Sequence, residues 1–223
     1  MSKATSKSGW KDGFLFVGNQ LALDFLNTRP VQNGKPSELL PDFSALLRWF
    51  QAADLLSSRE VGSLQRQWAG SASARSTTEA MRQLRDKLRE EVLAWERSGS
   101  VQHSTQDQLN VLMAQHPMRT QLRRDGKSYA TELWFEPRQP EDLFAPLAHS
   151  AATLFATVDP KRVRKGAQCV LHFHDISKKG TRRWCSMQLC GNRLKVAAYA
   201  TRRRQSAHKP HKNDTGGGRL PSN

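Results

Sequence analysis

The chain has 223 residues, of which 37% are apolar and 25% charged, a composition that supports a buried core and excludes collagen-like and wholly disordered chains. Its apolar runs are short, as in residues 14–17 (FLFV), well below the ~20 residues of a membrane span. The net charge is +15, and it is spread unevenly: residues 1–160 hold 19 Lys+Arg against 18 Asp+Glu, whereas residues 161–223 hold 16 against 2, Asp175 and Asp214. A neutral body that carries a concentrated basic module points to a polyanionic partner for the module.

In chain order, residues 1–13 read as disordered, with lysines but no apolar stretch of signal-peptide length. Residues 14–17 read as a strand and Gly18-Asn19 as a turn. Leu21 to Leu26 can be a strand or the start of a helix, because the run is too short for its period to decide. Residues 29–35 form a loop that turns at Asn33-Gly34. Phe43, Leu46, Leu47 and Phe50 share one helix face after Pro41-Asp42. A second short helix starts at Ser58 and carries Val61, Leu64 and Trp68. Residues 70–76 (GSASARS) read as a flexible linker. Ser76 and Glu79 have capping-box spacing ahead of Met81, Leu84, Leu88, Val92 and Trp95, an amphipathic helix that Gly99 ends. Leu109, Leu112 and Met113 mark another helix, stopped by Pro117. Asp125-Gly126 between two strand-like segments signals a hairpin. Residues 142–158 return to helix, with Pro146 near its start, and Asp159-Pro160 forms a boundary. Residues 205–223 are polar, basic and read as disordered.

Residues 161–204 contain all three cysteines, Cys169, Cys185 and Cys190. An odd number in an intracellular chain argues against disulfides. Residues 170–175 (VLHFHD) read as a strand, 176–180 (ISKKG) as a turn and 189–204 as a helix. Cys185 and Cys190 bracket the entry to that helix, where the positive helix end favours thiolates. So small an apolar inventory needs a staple such as a metal.

The segment 182–193 (RRWCSMQLCGNR) resembles the CGNR zinc finger, named for the tetrapeptide at 190–193. Residues 21–28 (LALDFLNT) are similar to the opening motif of the ABATE domain that commonly precedes this finger. The resemblance implies an α+β, mainly helical N-terminal domain with a small sheet or hairpin over 14–160, and a treble-clef-like zinc module over 161–204. It further implies a bacterial, stress-linked transcription regulator. One departure stands out. The finger carries a further upstream cysteine in a C-x4-C knuckle; Cys169 matches the later of that pair, and the earlier position falls on Arg164 or in a shortened loop at 165–168. Three thiolates remain for zinc, Cys169, Cys185 and Cys190, and either His172 or else His174 supplies the fourth ligand, or the zinc site is weakened or lost and both histidines are plain strand residues facing solvent or phosphate. A regular strand at 169–174 points Cys169 to one face and both histidines to the other, so a bulge would have to turn His172 round.

Lys178, Lys179, Arg182, Arg183, Arg193, Lys195, Arg202, Arg203 and Arg204 can form one positive surface for double-stranded DNA, with the terminal helix sized for a major groove. Arg182, Arg183 and Arg193 can instead hold the finger together, by pairing with Asp175 or capping carbonyls. Asp24, Asn27 and Thr28 either line a pocket in the N-terminal domain or cap the chain there. That domain is expected to sense a small-molecule effector or to form a homodimer, in a cytoplasmic, nucleoid-associated protein with no membrane partner. The rival readings are an RNA-binding module and a protein-interaction module. An enzyme is not expected, since no nucleophile elbow, P-loop or dinucleotide fingerprint is found.

Overall fold

The structure, a computed structural model, describes residues 9–32, 35–126, 128–166 and 170–186. It is helix-rich, with small antiparallel sheets that each have two strands among the described residues, in keeping with the expected α+β class. None of the described helices is long and apolar enough to cross a membrane.

A hairpin of β1 (Trp10–Lys11) and β2 (Phe14–Leu15) opens the described chain, so Trp10 and Lys11 are paired where the sequence reads as disorder. Phe14 and Leu15 are almost completely buried, and it is this apolar pair that draws the preceding residues into the fold. The ambiguous run becomes helix α1 (Leu21–Leu26). It lies at the centre of the fold, in contact with the long helix α4, with α6 and with the last strand. Leu23 and Phe25 are fully buried there. Two short strands, β3 (Val31–Gln32) and β4 (Lys35–Pro36), pair on either side of residues 33–34.

Helix α2 (Phe43–Ala52) is capped by Asp42, whose side chain accepts from the Ala45 N–H. It buries Phe43, Leu46, Leu47 and Phe50, the stripe that the spacing predicts, and Trp49 beside them. Helix α3 (Ser58–Trp68) starts in a complete capping box between Ser57 and Glu60. Helix α4 (Ala72–Ser98) is the longest element, 27 residues. It starts inside the segment read as a linker, because Ser71 caps it through the Ala74 N–H and alanine carries the highest helix propensity of all residues. Ser76 is thus mid-helix and caps nothing. Met81, Leu84, Leu88, Val92 and Trp95 are buried on one face, and Gly99 ends the helix in the left-handed conformation, φ 72°, where glycine has no Cβ penalty.

Helix α5 (His103–Gln115) is anchored by buried Glu91 of α4, which accepts from the Gln102 N–H and the Thr105 hydroxyl. The expected hairpin follows as β5 (Arg119–Asp125) and β6 (Ser128–Trp134). A 3₁₀ turn at Pro140–Leu143 leads into α6 (Phe144–Thr157). Pro146 therefore falls in the first turn, where the missing N–H leaves no helical bond unmade. The last described sheet pairs β7 (Val163–Lys165) with β8 (His172–His174).

Candidate nucleic-acid interface and metal centre

The LALDFLNT segment explains how the basic module is seated. Its three polar side chains are buried, and each is satisfied by the protein itself. Asp24 Oδ1 accepts from the Gly18 N–H at 2.7 Å. Burial raises its carboxyl to about 7, against the pull of the Gly18 and Val17 N–H groups. Thr28 donates to the Phe25 carbonyl and receives the guanidinium of buried Arg85, which also grips Glu38 at 2.7 and 2.6 Å. Asn27 reaches β8: its Nδ2 donates to the His172 carbonyl at 2.9 Å, and its Oδ1 accepts from the His172 N–H at 2.8 Å. A single side chain thus stands in for a neighbouring strand. Two residues along β8, the Gly18 carbonyl accepts from the His174 N–H, and Asn19 Nδ2 donates to the His174 carbonyl. Gly18 allows the close approach, since a Cβ there would meet Leu23 Cβ at 2.8 Å and the Asp24 N at 2.9 Å.

The other face of β8 carries Phe173. With Leu15, Val17, Leu171 and Cys185 it forms a small second core, flanked by Trp10 and Trp184. Hydrophobic packing therefore runs across the Asp159-Pro160 boundary: the N-terminal hairpin and the start of the basic module bury each other.

The turn after β8 is rigidly built. Asp175, fully buried, accepts from the Ser177 and Arg182 N–H groups. Burial alone would raise its carboxyl, but these bonds and the Arg162 guanidinium outweigh it and hold the group down at about 2. Arg162 donates to the Asp175 and Ser177 carbonyls, and Arg164 to the Gly180 carbonyl. Gly180, at φ 60°, lies against Arg162, whose guanidinium carbon would be 3.2 Å from an added Cβ. The result is a fixed platform with Lys178 and Lys179 exposed on it.

Arg182 is tied inward. Its guanidinium lies 4.6 Å from the centre of the Phe173 ring and donates to the carbonyls of Trp184 and Cys185. Arg183 is exposed and stacks on the Trp184 ring at 5.8 Å. Both border a groove of about 540 Å³ together with Arg97 from the last turn of α4, Lys161 from the 3₁₀ turn Pro160–Arg162, and Arg164 and Lys165 from β7. Among the described residues none of these six cations is in ion-pair distance of a carboxylate. The one acidic residue among those lining the groove is Glu96. Its Oε1 is buried without a hydrogen-bond partner among the described residues, and burial raises it to about 7 in spite of Arg97, Lys165 and Arg164. It therefore carries only part of a negative charge at neutral pH.

Arg97, Lys161, Arg164 and Lys165 are absent from the cations that the sequence assigns to the positive surface. The last three had a signal, the run KRVRK at 161–165. Arg97 had none, because only the fold brings the end of α4 beside β7. Arg193, Lys195, Arg202, Arg203 and Arg204, and the expected terminal helix, lie outside the described residues.

Of the metal candidates, Cys169 and Cys190 also lie outside the described residues. Cys185 is fully buried. His172 is buried, and neither ring nitrogen has a hydrogen-bond partner among the described residues. Burial, then Arg89 and Lys165, lower its imidazole to about 4. Strand alternation sets its ring opposite to Phe173, whereas Cys185 packs with Phe173. His172 and Cys185 thus project on opposite sides of β8, and no group of three metal-ligating side chains occurs among the described residues. The fully buried thiol and the other two cysteines suit a thiolate-rich zinc site in chemistry; the orphan imidazole faces away from Cys185.

Residues 19–158 match the family ABATE, described as "Putative stress-induced transcription regulator", and residues 162–203 match the CGNR zinc finger. No curated protein matches the chain.

Proposed function

The chain belongs to the ABATE family, whose match takes in more than half of its length, and from that premise we propose that it is a regulator that grips the phosphate backbone of duplex DNA in the groove between α4 and β7. Its two matches are of regulatory and zinc-finger type and include no enzyme family. The observation that carries the reading is the groove lined by six cations, with Glu96 the one acidic side chain lining it among the described residues. Such a site gains affinity by releasing the counterions of the phosphates it neutralises. Lys178 and Lys179 extend the six, among which Arg183 is exposed while Arg182 also holds the platform in shape through the Trp184 carbonyl. The cations of the terminal segment, Arg193, Lys195 and Arg202 to Arg204, are proposed to add to the same surface, with the ABATE domain transmitting an effector or an assembly state to it.

The test is the salt dependence of binding to a duplex oligonucleotide, followed by fluorescence anisotropy. In the double variant Lys161→Glu, Lys165→Glu, the slope of log K against log salt should fall by about 2, since each lost B-DNA phosphate contact removes about 0.9. Affinity should fall on the order of 100-fold at low salt. Arg59→Glu on the exposed start of α3 should leave both unchanged. Equal slopes in the double variant and the wild type would sink the groove as the interface, and preference for single-stranded RNA over duplex DNA would transfer the site to RNA.

The CGNR finger implies zinc. We assign its ligands to Cys169, Cys185 and Cys190, with the fourth position filled by a group other than His172. When bound, the ion holds a small module together and takes part in no reaction. Native mass spectrometry should show the mass of one zinc ion per chain, lost in Cys185→Ser and kept in His172→Gln. Loss in both variants would restore His172 as a ligand.

A further inference from the structure

The hairpin β5–β6 stands apart from the core. Both of its strands are exposed over seven residues each, with only Trp134 partly covered, and each has the other as its sole strand partner among the described residues. A lone two-stranded ribbon is marginal in water. Its register sorts the side chains into two faces. Gln121, Arg123 and Glu132 overlook the turn between α2 and α3, around Asp54 to Ser57. The opposite face pairs Thr120 with Leu133, Leu122 with Thr131 and Arg124 with Tyr129. On it Leu122 is 71% exposed and Tyr129 68%, while Leu133, 47% exposed, also borders the groove beside Asp54 to Ser57.

We propose that β5 is a self-association edge, and that a second copy of this chain pairs with it antiparallel about a two-fold axis at Leu122. Charge and overlap select this occupant and this register, since a Thr120 centre would pair only residues 119–121 of β5. A two-fold axis between antiparallel strands must pass through a residue that faces its own copy. Centred on Gln121, the pairing sets Arg119 against Arg123. Centred on Arg123, it sets that arginine against itself. Like charges directly opposite are destabilising. Centred on Leu122, it sets Arg119 against Asp125 twice over, Gln121 against Arg123, Thr120 against Arg124 and Leu122 against Leu122. The four-stranded sheet that results brings the two Leu122 side chains together on the face that also carries Tyr129 and Leu133, and satisfies the open edge of β5. This interface is independent of the DNA reading, and either can fail without the other.

Sedimentation velocity on the nucleic-acid-free full chain in high salt tests it. The wild type should dimerise with rising concentration. Leu122→Glu, which places two carboxylates on the axis, should be monomeric. Arg119→Glu should weaken the dimer several-fold, and Arg119→Glu with Asp125→Arg should restore it. In the paired register the two Leu122 Cα atoms fall within disulfide range, so Leu122→Cys should yield a cross-linked dimer on mild oxidation and Gln121→Cys should not. A wild type that stays monomeric at every concentration, a Leu122→Glu variant that still dimerises, or equal cross-linking of the two cysteine variants would overturn the proposal. So would a monomer in which Leu122→Glu lowers DNA affinity, because the ribbon would then be a DNA arm.

Discussion

Asn27→Ala is expected to destabilise the protein by about 2–6 kcal/mol, because it orphans two buried backbone groups at about 1–3 kcal/mol each. Those groups are the N–H and the carbonyl of His172, both now paired with the one carboxamide. They lie between α1 and the first core, on one side, and the Phe173 cluster on the other, so water cannot replace the lost partner without opening the seam. Asn27→Asp should be no rescue. It keeps an acceptor for the His172 N–H but turns a carboxylate oxygen toward the His172 carbonyl, and a buried unpaired charge costs more than a missing amide. Asn19→Ala provides the contrast: its bond to the His174 carbonyl is exposed and worth about 1 kcal/mol or less, to which the loss of asparagine from φ 59° adds about 1 kcal/mol of backbone strain. Urea denaturation followed by tryptophan fluorescence reads all three. An Asn27→Ala cost no larger than that of Asn19→Ala would mean that β8 is held by Phe173 alone. Because β8 pairs with β7, and β7 carries Arg164 and Lys165, the same variant should also weaken DNA binding without removing a cation.

The role of Asn27 shows where sequence reading stops. Helices α2 to α6 were legible because their apolar residues recur at three and four positions, and the hairpin because Asp125-Gly126 suits a tight turn, whereas the six residues of α1 are too few to show a period. Residues 70–76 read as a linker because serine and alanine are common both in linkers and at helix starts, and the bond that the Ala74 N–H donates to the Ser71 hydroxyl separates the two. Asp24, Asn27 and Thr28 were visible as polar residues in an apolar segment, which fits a pocket as well as a cap. What decides between them is a partner 145 residues away, His172, and no local pattern encodes that. The groove divides in the same manner. Charge arithmetic located the basic segment, whereas Arg97 entered the groove only through the length and direction of α4.

Asp24→Asn is expected to invert its relative stability between acid and alkaline solution. The wild-type carboxyl is raised by burial from 3.8 to about 7, so between those values the folded state binds a proton that the unfolded state releases. Stability then falls as pH rises through this window and is level above about 7. The slope is about 1.4 kcal/mol per pH unit for one proton. Asparagine is nearly the same shape, keeps an oxygen for the Gly18 N–H and does not titrate. From about pH 5 to about pH 8 the variant should therefore gain about 3 kcal/mol on the wild type. The difference between the two proteins is the quantity to measure, because other groups move the absolute curve. His172, lowered to about 4, takes stability away as pH falls below its ordinary range, and Glu96, raised to about 7, acts in the same sense as Asp24; both are present in each protein and cancel. Thermal melts of the pair across this range supply the test. Parallel curves would mean that Asp24 is already ionised in the fold at the acid end, and that the loop holding β8 is stabilised by a full negative charge against the Gly18 N–H.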